Sequence, residues 1–278
     1  MLRMNKKINV IELNSLDLFR NDLLADVNPY TVEQKIKWYL NYFGGLNFQF
    51  GYDRSIIRAR ICSSSNGYNN INELYAPPPK CTKVGRMNDA GKPMLYAAYN
   101  IGTAIAEINA KEGDIIHIAE FELPKKSTNG LRCLVIGEVF NSYHGISTVS
   151  DLFYHEVRSL LGRLANDNIK NMLSFLYMDA LSAELLNDIN ASKNNYLYSR
   201  ILSRLLLAKH PSIDGFIYPS AKVKSTSNIV LKTNTIQTKI NVVSNMIIQI
   251  NKIFPYGICD FKVLKQGEGH TQNGDIIW

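Results

Sequence analysis

The spacing of apolar positions changes several times along the chain, and each change predicts an element. From residue 8 to about 43 the apolar residues recur at helical intervals. Leu16, Leu18, Phe19, Leu23 and Leu24 precede a break at Asn28-Pro29, and Trp38, Tyr39 and Phe43 follow it. Thr31-x-x-Gln34 has the form of a capping box and predicts the start of the second helix, with Gly44-Gly45 as its end. Residues 56–62, IIRARIC, alternate with period two. They predict a strand with Ile57, Ala59 and Ile61 on one face and Arg58, Arg60 and Cys62 on the other. A polar run and Pro77-Pro78-Pro79 then predict a long irregular loop, a kind of segment that often carries function.

Asn88-Asp89-Ala90-Gly91 reads as a turn, Met94–Ala98 as a strand, and Thr103–Ile108 as a short helix capped by Thr103. Residues 115–122 and 132–140 read as strands. Three helices are predicted between about 148 and 210, the last stopping at Pro211. Short strands at 215–218 and 228–232 flank a Ser/Lys-rich loop, and alternation returns over 240–250 and 257–264. The order β, loop, β, α, β, β, three helices, β, β predicts a mixed α/β chain of the α+β class. It lacks the regular alternation of a doubly wound sheet. The expected division is an N-terminal helical extension, residues 1–50, and one larger domain, residues 51–278.

Composition narrows the class without choosing a function. With 278 residues, 46% hydrophobic and 20% charged, the chain is neither disordered nor fibrous. Its net charge of +7 permits an anionic partner and does not require one. The four cysteines, Cys62, Cys81, Cys133 and Cys259, form no C-x-x-C pair, which excludes a disulfide scaffold and a cysteine zinc site. Asn5, Asn9, Glu12, Asn14 and Asp17 interrupt the first residues, and no apolar run reaches the length of a membrane span. The expectation is a soluble intracellular protein.

Phosphate-loop, dinucleotide-fold, zincin and nucleophile-elbow motifs are all absent, and the five histidines have no ligand spacing. What stands out is Arg, Tyr and Glu around a turn. Arg58 and Arg60 on one strand face suit a diphosphate, because guanidinium is a planar fork of donors; they equally suit a solvated face. Arg86 precedes a glycine-containing turn where backbone can approach a ligand. Tyr96, beside alanines, is either a core residue or a platform for a flat heterocycle. Glu107 lies among small and apolar residues. It is either a surface carboxylate or a partly buried one able to stabilise an oxocarbenium-like sugar cation.

The segment GRMNDAGKPMLYAAYNIGTAIAEI resembles the signature of the RES-domain family, G-R-x-N-x-x-G, a strand with Tyr, and a helix T-A-x-x-E. The upstream strand IIRARI, the loop Ala76–Pro79, the run Asp214–Ser220 and the later Asn228-Ile229-Val230-Leu231 fit the same pattern, over about residues 56–234. The resemblance implies a fold related to ADP-ribosyltransferases, with small twisted sheets flanked by helices. It implies a toxin that consumes NAD⁺ as substrate, with water or inorganic phosphate as acceptor, and an antitoxin partner. It assigns Arg86, Tyr96 and Glu107 to catalysis and Arg58 or Arg60, Asn88 and Ser220 to holding NAD⁺. No metal is expected, since nicotinamide leaves as a neutral molecule. Neither membrane nor direct nucleic-acid binding is expected, and a homodimer is open. The expected location is the cytoplasm, the cell's own or that of a target cell. Competing readings are ADP-ribose transfer to a macromolecule and a non-catalytic basic nucleic-acid-binding or interaction domain.

Overall fold

The computed structural model describes residues 11–43, 45–50, 54–123, 130–188 and 191–278. The expected helical positions 8–10 and Gly44 lie outside the described residues. In chain order the elements are α1 (Leu13–Ala25), α2 (Pro29–Tyr39), β1 (Leu46–Phe50), β2 (Ile56–Cys62), β3 (Met94–Ala98), α3 (Ile101–Glu107), β4 (Ile115–Glu122) and β5 (Leu131–Val135). They continue as α4 (Glu138–Tyr143), α5 (Asp151–Asp167), α6 (Ile169–Asn187), α7 (Leu197–Lys209), β6 (Gly215–Pro219), β7 (Ser227–Lys232) and α8 (Thr233–Lys239). The last are β8 (Asn241–Ile253), β9 (Cys259–Gln266), β10 (Gly269–His270) and β11 (Ile276–Ile277). Eight α-helices among the described residues, with parallel and antiparallel strand pairs, make this an α+β fold. None of those helices is long and apolar enough to cross a membrane.

The chain divides into two compact units. The first comprises the described residues up to Gln49, then Lys83–Ala90 and Arg132–Pro219. Its helices α1 and α2 bury Leu16, Leu23, Val32, Ile36 and Tyr39 completely. They pack on α6 and α7 respectively. Helix α2 starts earlier than the Thr31 capping box predicts. Asn28 is the cap, accepting from the Tyr30 N–H at 2.9 Å, and Pro29 sits in the first turn, where its missing N–H costs nothing. In this unit β1, β5 and β6 lie side by side, β5 parallel to β6.

The predicted strand 132–140 is a shorter strand and a helix. Gly137 adopts φ +83°, and a Cβ there would come within 2.7 Å of Pro219 and 2.9 Å of Ala183, so the chain turns and α4 begins. Its first N–H groups need acceptors, and fully buried Asp179 on α6 supplies them, taking Gly137 N–H at 2.9 Å and Phe140 N–H at 3.0 Å. Burial, with Glu138 nearby, pushes the Asp179 carboxyl up to about 7, against the opposing pull of those N–H donors. Asp179→Ala is therefore expected to cost about 2–4 kcal/mol in chemical denaturation, by orphaning buried donors. A carboxyl raised above its unfolded value of 3.8 favours the fold most at low pH and loses that contribution as pH rises through about 7. Asp179→Asn, which cannot titrate, is expected to gain stability relative to the unmodified chain from pH 5 to 8. Parallel stability curves for the two proteins would contradict this.

The second unit holds Phe50–Thr82, the described residues of Gly91–Leu131, and Ser220–Trp278. Its strands run in the order β7-β3-β2-β4-β8-β9, all antiparallel. Register pairs Ile57 with Ala98, Ala59 with Ile118, and Ala98 with Asn228. One face therefore carries Ala59, Ala98, Ile116 and Ile118, and α3 covers it with Ala104 and Ile105. Strand β2 pairs with β4 along its whole length but meets β3 at the single pair Ile57–Ala98, so β2 and β3 diverge beyond it. Helix α3 is capped by Asn100, whose Oδ1 accepts from Thr103 N–H at 2.7 Å; Thr103, the predicted cap, is buried two residues inside the helix.

Candidate functional site

Glu107 ends α3 and is half-buried. Its Oε1 accepts from the Ser220 hydroxyl at 2.6 Å and from Asn228 Nδ2 at 2.7 Å. Both distances are those of charge-assisted hydrogen bonds. Oε2 takes no hydrogen bond from the described residues. The partners flank one loop, Ser220 at its start and Asn228 just beyond its end in β7. Ser220 N–H donates to the Thr226 carbonyl at 2.9 Å, which closes the loop on itself. The Ser220 oxygen also accepts from Lys222 N–H at 3.1 Å and Val223 N–H at 3.0 Å. A hydroxyl has one proton and two lone pairs, so Ser220 has nothing left to offer in this arrangement. Its role here is to hold the carboxylate and the loop together. The Ala221–Ser227 interval, which separates the two motif pieces in sequence, is thus what brings Ser220 and Asn228 to the same oxygen.

Arg58 follows Ile57, at the point where β2 leaves β3. The residue is half-buried as a whole, but its Nε and Nη1 are sealed from solvent and have no hydrogen-bond partner among the described residues. Burial, with the positive charge of Arg60 beside it, lowers its pKa to about 10, while the phenols of Tyr68 and Tyr96 act in the opposite direction. The guanidinium stays cationic at neutral pH. Arg60 is committed elsewhere: Nη1 donates to the Glu73 carbonyl, and the guanidinium lies 4.3 Å from the centre of the Tyr68 ring. Tyr96 is half-buried at the middle of β3, opposite Val230 of β7.

The Tyr68 loop is itself pinned. Tyr68 N–H donates to His117 Nδ1 at 3.1 Å, so the ring proton is on Nε2, facing Asn245 Oδ1 at 3.1 Å. Burial lowers the His117 pKa, keeping the ring neutral and the acceptor in place.

Arg86 and Asn88 belong to the first unit. Arg86 Nη1 donates to the carbonyls of Leu186, in the last turn of α6, and Asp188, just past it, and its guanidinium lies 5.8 Å from the Tyr196 ring centre. Asn88 is buried and donates through Nδ2 to the Lys83 and Asp89 carbonyls, both at 2.9 Å, which builds the turn. The second unit thus holds Arg58, Arg60, Tyr96, Glu107 and Ser220. It joins Glu107 to Ser220 by a hydrogen bond, and the Tyr96 phenol is one of the groups that act on the Arg58 charge.

Asn228 is a site residue that sequence reasoning did not single out. Its signal was the N-x-V-L run, read there as a strand marker rather than as a side chain. A clamped carboxylate with an open oxygen suits a ligand that carries hydroxyls or positive charge, and a half-buried cation with unused donors suits negative charge. A family model, that of the RES domain, matches residues 59–245, and the chain belongs to the RES-domain family. That family is generally linked to NAD-related toxin function. Among curated proteins, none matches this chain.

Proposed function

We propose that this protein degrades NAD⁺ by breaking the bond between nicotinamide and ribose, as a toxin that depletes the dinucleotide in a cytoplasm. The observation that supports this best is the Glu107 carboxylate, fixed through Oε1 by Ser220 and Asn228 with Oε2 open. When the glycosidic C–N bond breaks, its electron pair stays on the pyridinium nitrogen and nicotinamide leaves neutral. Positive charge then develops on the ribose carbon and ring oxygen. A carboxylate already held in place stabilises that charge without reorganising. An oxygen of water or of phosphate then bonds to the ribose carbon, and attacking water gives up a proton.

Two other residues take the rest of NAD⁺. The unpartnered donors of Arg58 take the diphosphate, and Tyr96 stacks on the flat nicotinamide. Arg60 holds the Tyr68 loop, while Arg86 and Asn88 hold the turn and the α6 end. An antitoxin partner is the corresponding expectation for the biology.

Incubation with NAD⁺, with and without inorganic phosphate, tests the reading and separates its forms. ADP-ribose in both reactions marks hydrolysis. ADP-ribose 1″-phosphate that appears only with phosphate marks phosphorolysis. Label from NAD⁺ on protein or nucleic acid marks transfer. Intact NAD⁺ in every reaction contradicts the proposal.

A further inference from the structure

The two polar atoms of the Asn228 side chain are used unequally. The residue is 3% exposed. Nδ2 donates to Glu107 Oε1 at 2.7 Å, and this orientation is dictated by chemistry, since a flipped amide would set its oxygen against a carboxylate oxygen. The remaining atom, Oδ1, is therefore an acceptor. It is sealed from solvent and has no hydrogen-bond partner among the described residues. Buried carbonyl oxygens are ordinarily satisfied, and an unsatisfied one beside a candidate catalytic carboxylate marks where a ligand's donor belongs. The neighbouring Ser220 hydroxyl does not compete for it, being saturated by Glu107, Lys222 and Val223.

We propose that Asn228 Oδ1 accepts a hydrogen bond from a hydroxyl of the nicotinamide-side ribose, so that Glu107 and Asn228 together read the 2′,3′ diol. This rests on the functional reading above. NAD⁺ bound for cleavage brings that ribose to Glu107, and its two hydroxyls stand on adjacent ring carbons. Two acceptors joined by one hydrogen bond, Glu107 through Oε2 and Asn228 through Oδ1, match two donors on neighbouring atoms. Asn228 then has two functions: its N–H group positions the carboxylate, and its oxygen selects a sugar that carries both hydroxyls.

The test compares kcat/KM for NAD⁺ and for its analogues lacking the 2′- or the 3′-hydroxyl on the nicotinamide-side ribose. Each analogue's intrinsic reactivity is the same with every enzyme form, so it cancels in the ratio of variant to unmodified protein. Asn228→Ala is expected to lower kcat/KM roughly a hundredfold on NAD⁺ and about tenfold less severely on one of the two analogues. Ser220→Ala loosens the same Glu107 oxygen without touching the sugar, so its loss is expected to be equal on all three substrates. Where Asn228→Ala does not fold, Asn228→Ser gives the same comparison. Equal losses on all three substrates for the Asn228 variant overturn the proposal and leave the functional reading standing. Failure of the unmodified protein to cleave NAD⁺ overturns both.

Discussion

Glu107→Gln is expected to slow NAD⁺ loss by about a thousandfold or more while leaving the fold intact. Glutamine has the shape of glutamate, and its carbonyl oxygen can still accept from Ser220 and Asn228, which bond to Oε1 alone. What disappears is the negative charge beside the cation that forms as nicotinamide leaves, and with it the Oε2 acceptor, which an amide N–H₂ replaces. Because the carboxylate is already clamped, little of its effect depends on binding substrate, and the loss is expected in kcat more than in KM. Thermal stability within about 1 kcal/mol of the unmodified chain would show that the change is chemical. Retained turnover, with the same stability, would remove Glu107 from the reaction.

Arg58→Met is expected to do two things at once. Sealed guanidinium N–H groups without partners are unfavourable in the folded chain, and a methionine of similar length fills the space without that penalty. Stability is therefore expected to rise by about 1–2 kcal/mol. NAD⁺ turnover is expected to fall by about a hundredfold or more, through KM, because the donors suited to the diphosphate are gone. ADP-ribose should raise the melting temperature of the unmodified protein and barely move that of the variant. A variant that is less stable and still binds ADP-ribose would show that Arg58 serves the fold. Arg60 makes the comparison sharper. It already has the Glu73 carbonyl and the Tyr68 ring, so Arg60→Met removes a scaffold contact and should not be stabilising.

The difference between these two arginines also shows where sequence reading stops. Alternation along IIRARIC put both on one strand face, and β2 runs over Ile56–Cys62 as that pattern predicts. Which arginine is uncommitted depends on Glu73 and Tyr68, contributed by a loop with no period to read. Most elements were legible for a similar reason in reverse. Strands β3 and β4 and helices α5 to α7 have their patterns written in consecutive residues.

Ends were less legible, because they are set by competition between neighbouring side chains. Asn28 and Asn100 cap α2 and α3 in place of the threonines three residues later. The strand predicted through residue 140 ends early because Asp179, some forty residues downstream, accepts from the first N–H groups of α4. Helix α8 went unpredicted because TNTIQTK shows neither an apolar stripe nor strong helix formers. At the site, the motif T-A-x-x-E located Glu107, but its pairing with Ser220 and Asn228 spans more than a hundred residues and belongs to tertiary structure alone.

The most direct measurement follows free nicotinamide released from NAD⁺ by the purified chain, beside the Glu107→Gln variant at equal concentration. One nicotinamide is expected per NAD⁺ consumed, with release by the variant reduced about a thousandfold or more. No release by the unmodified chain, or equal release by both proteins, would contradict the account.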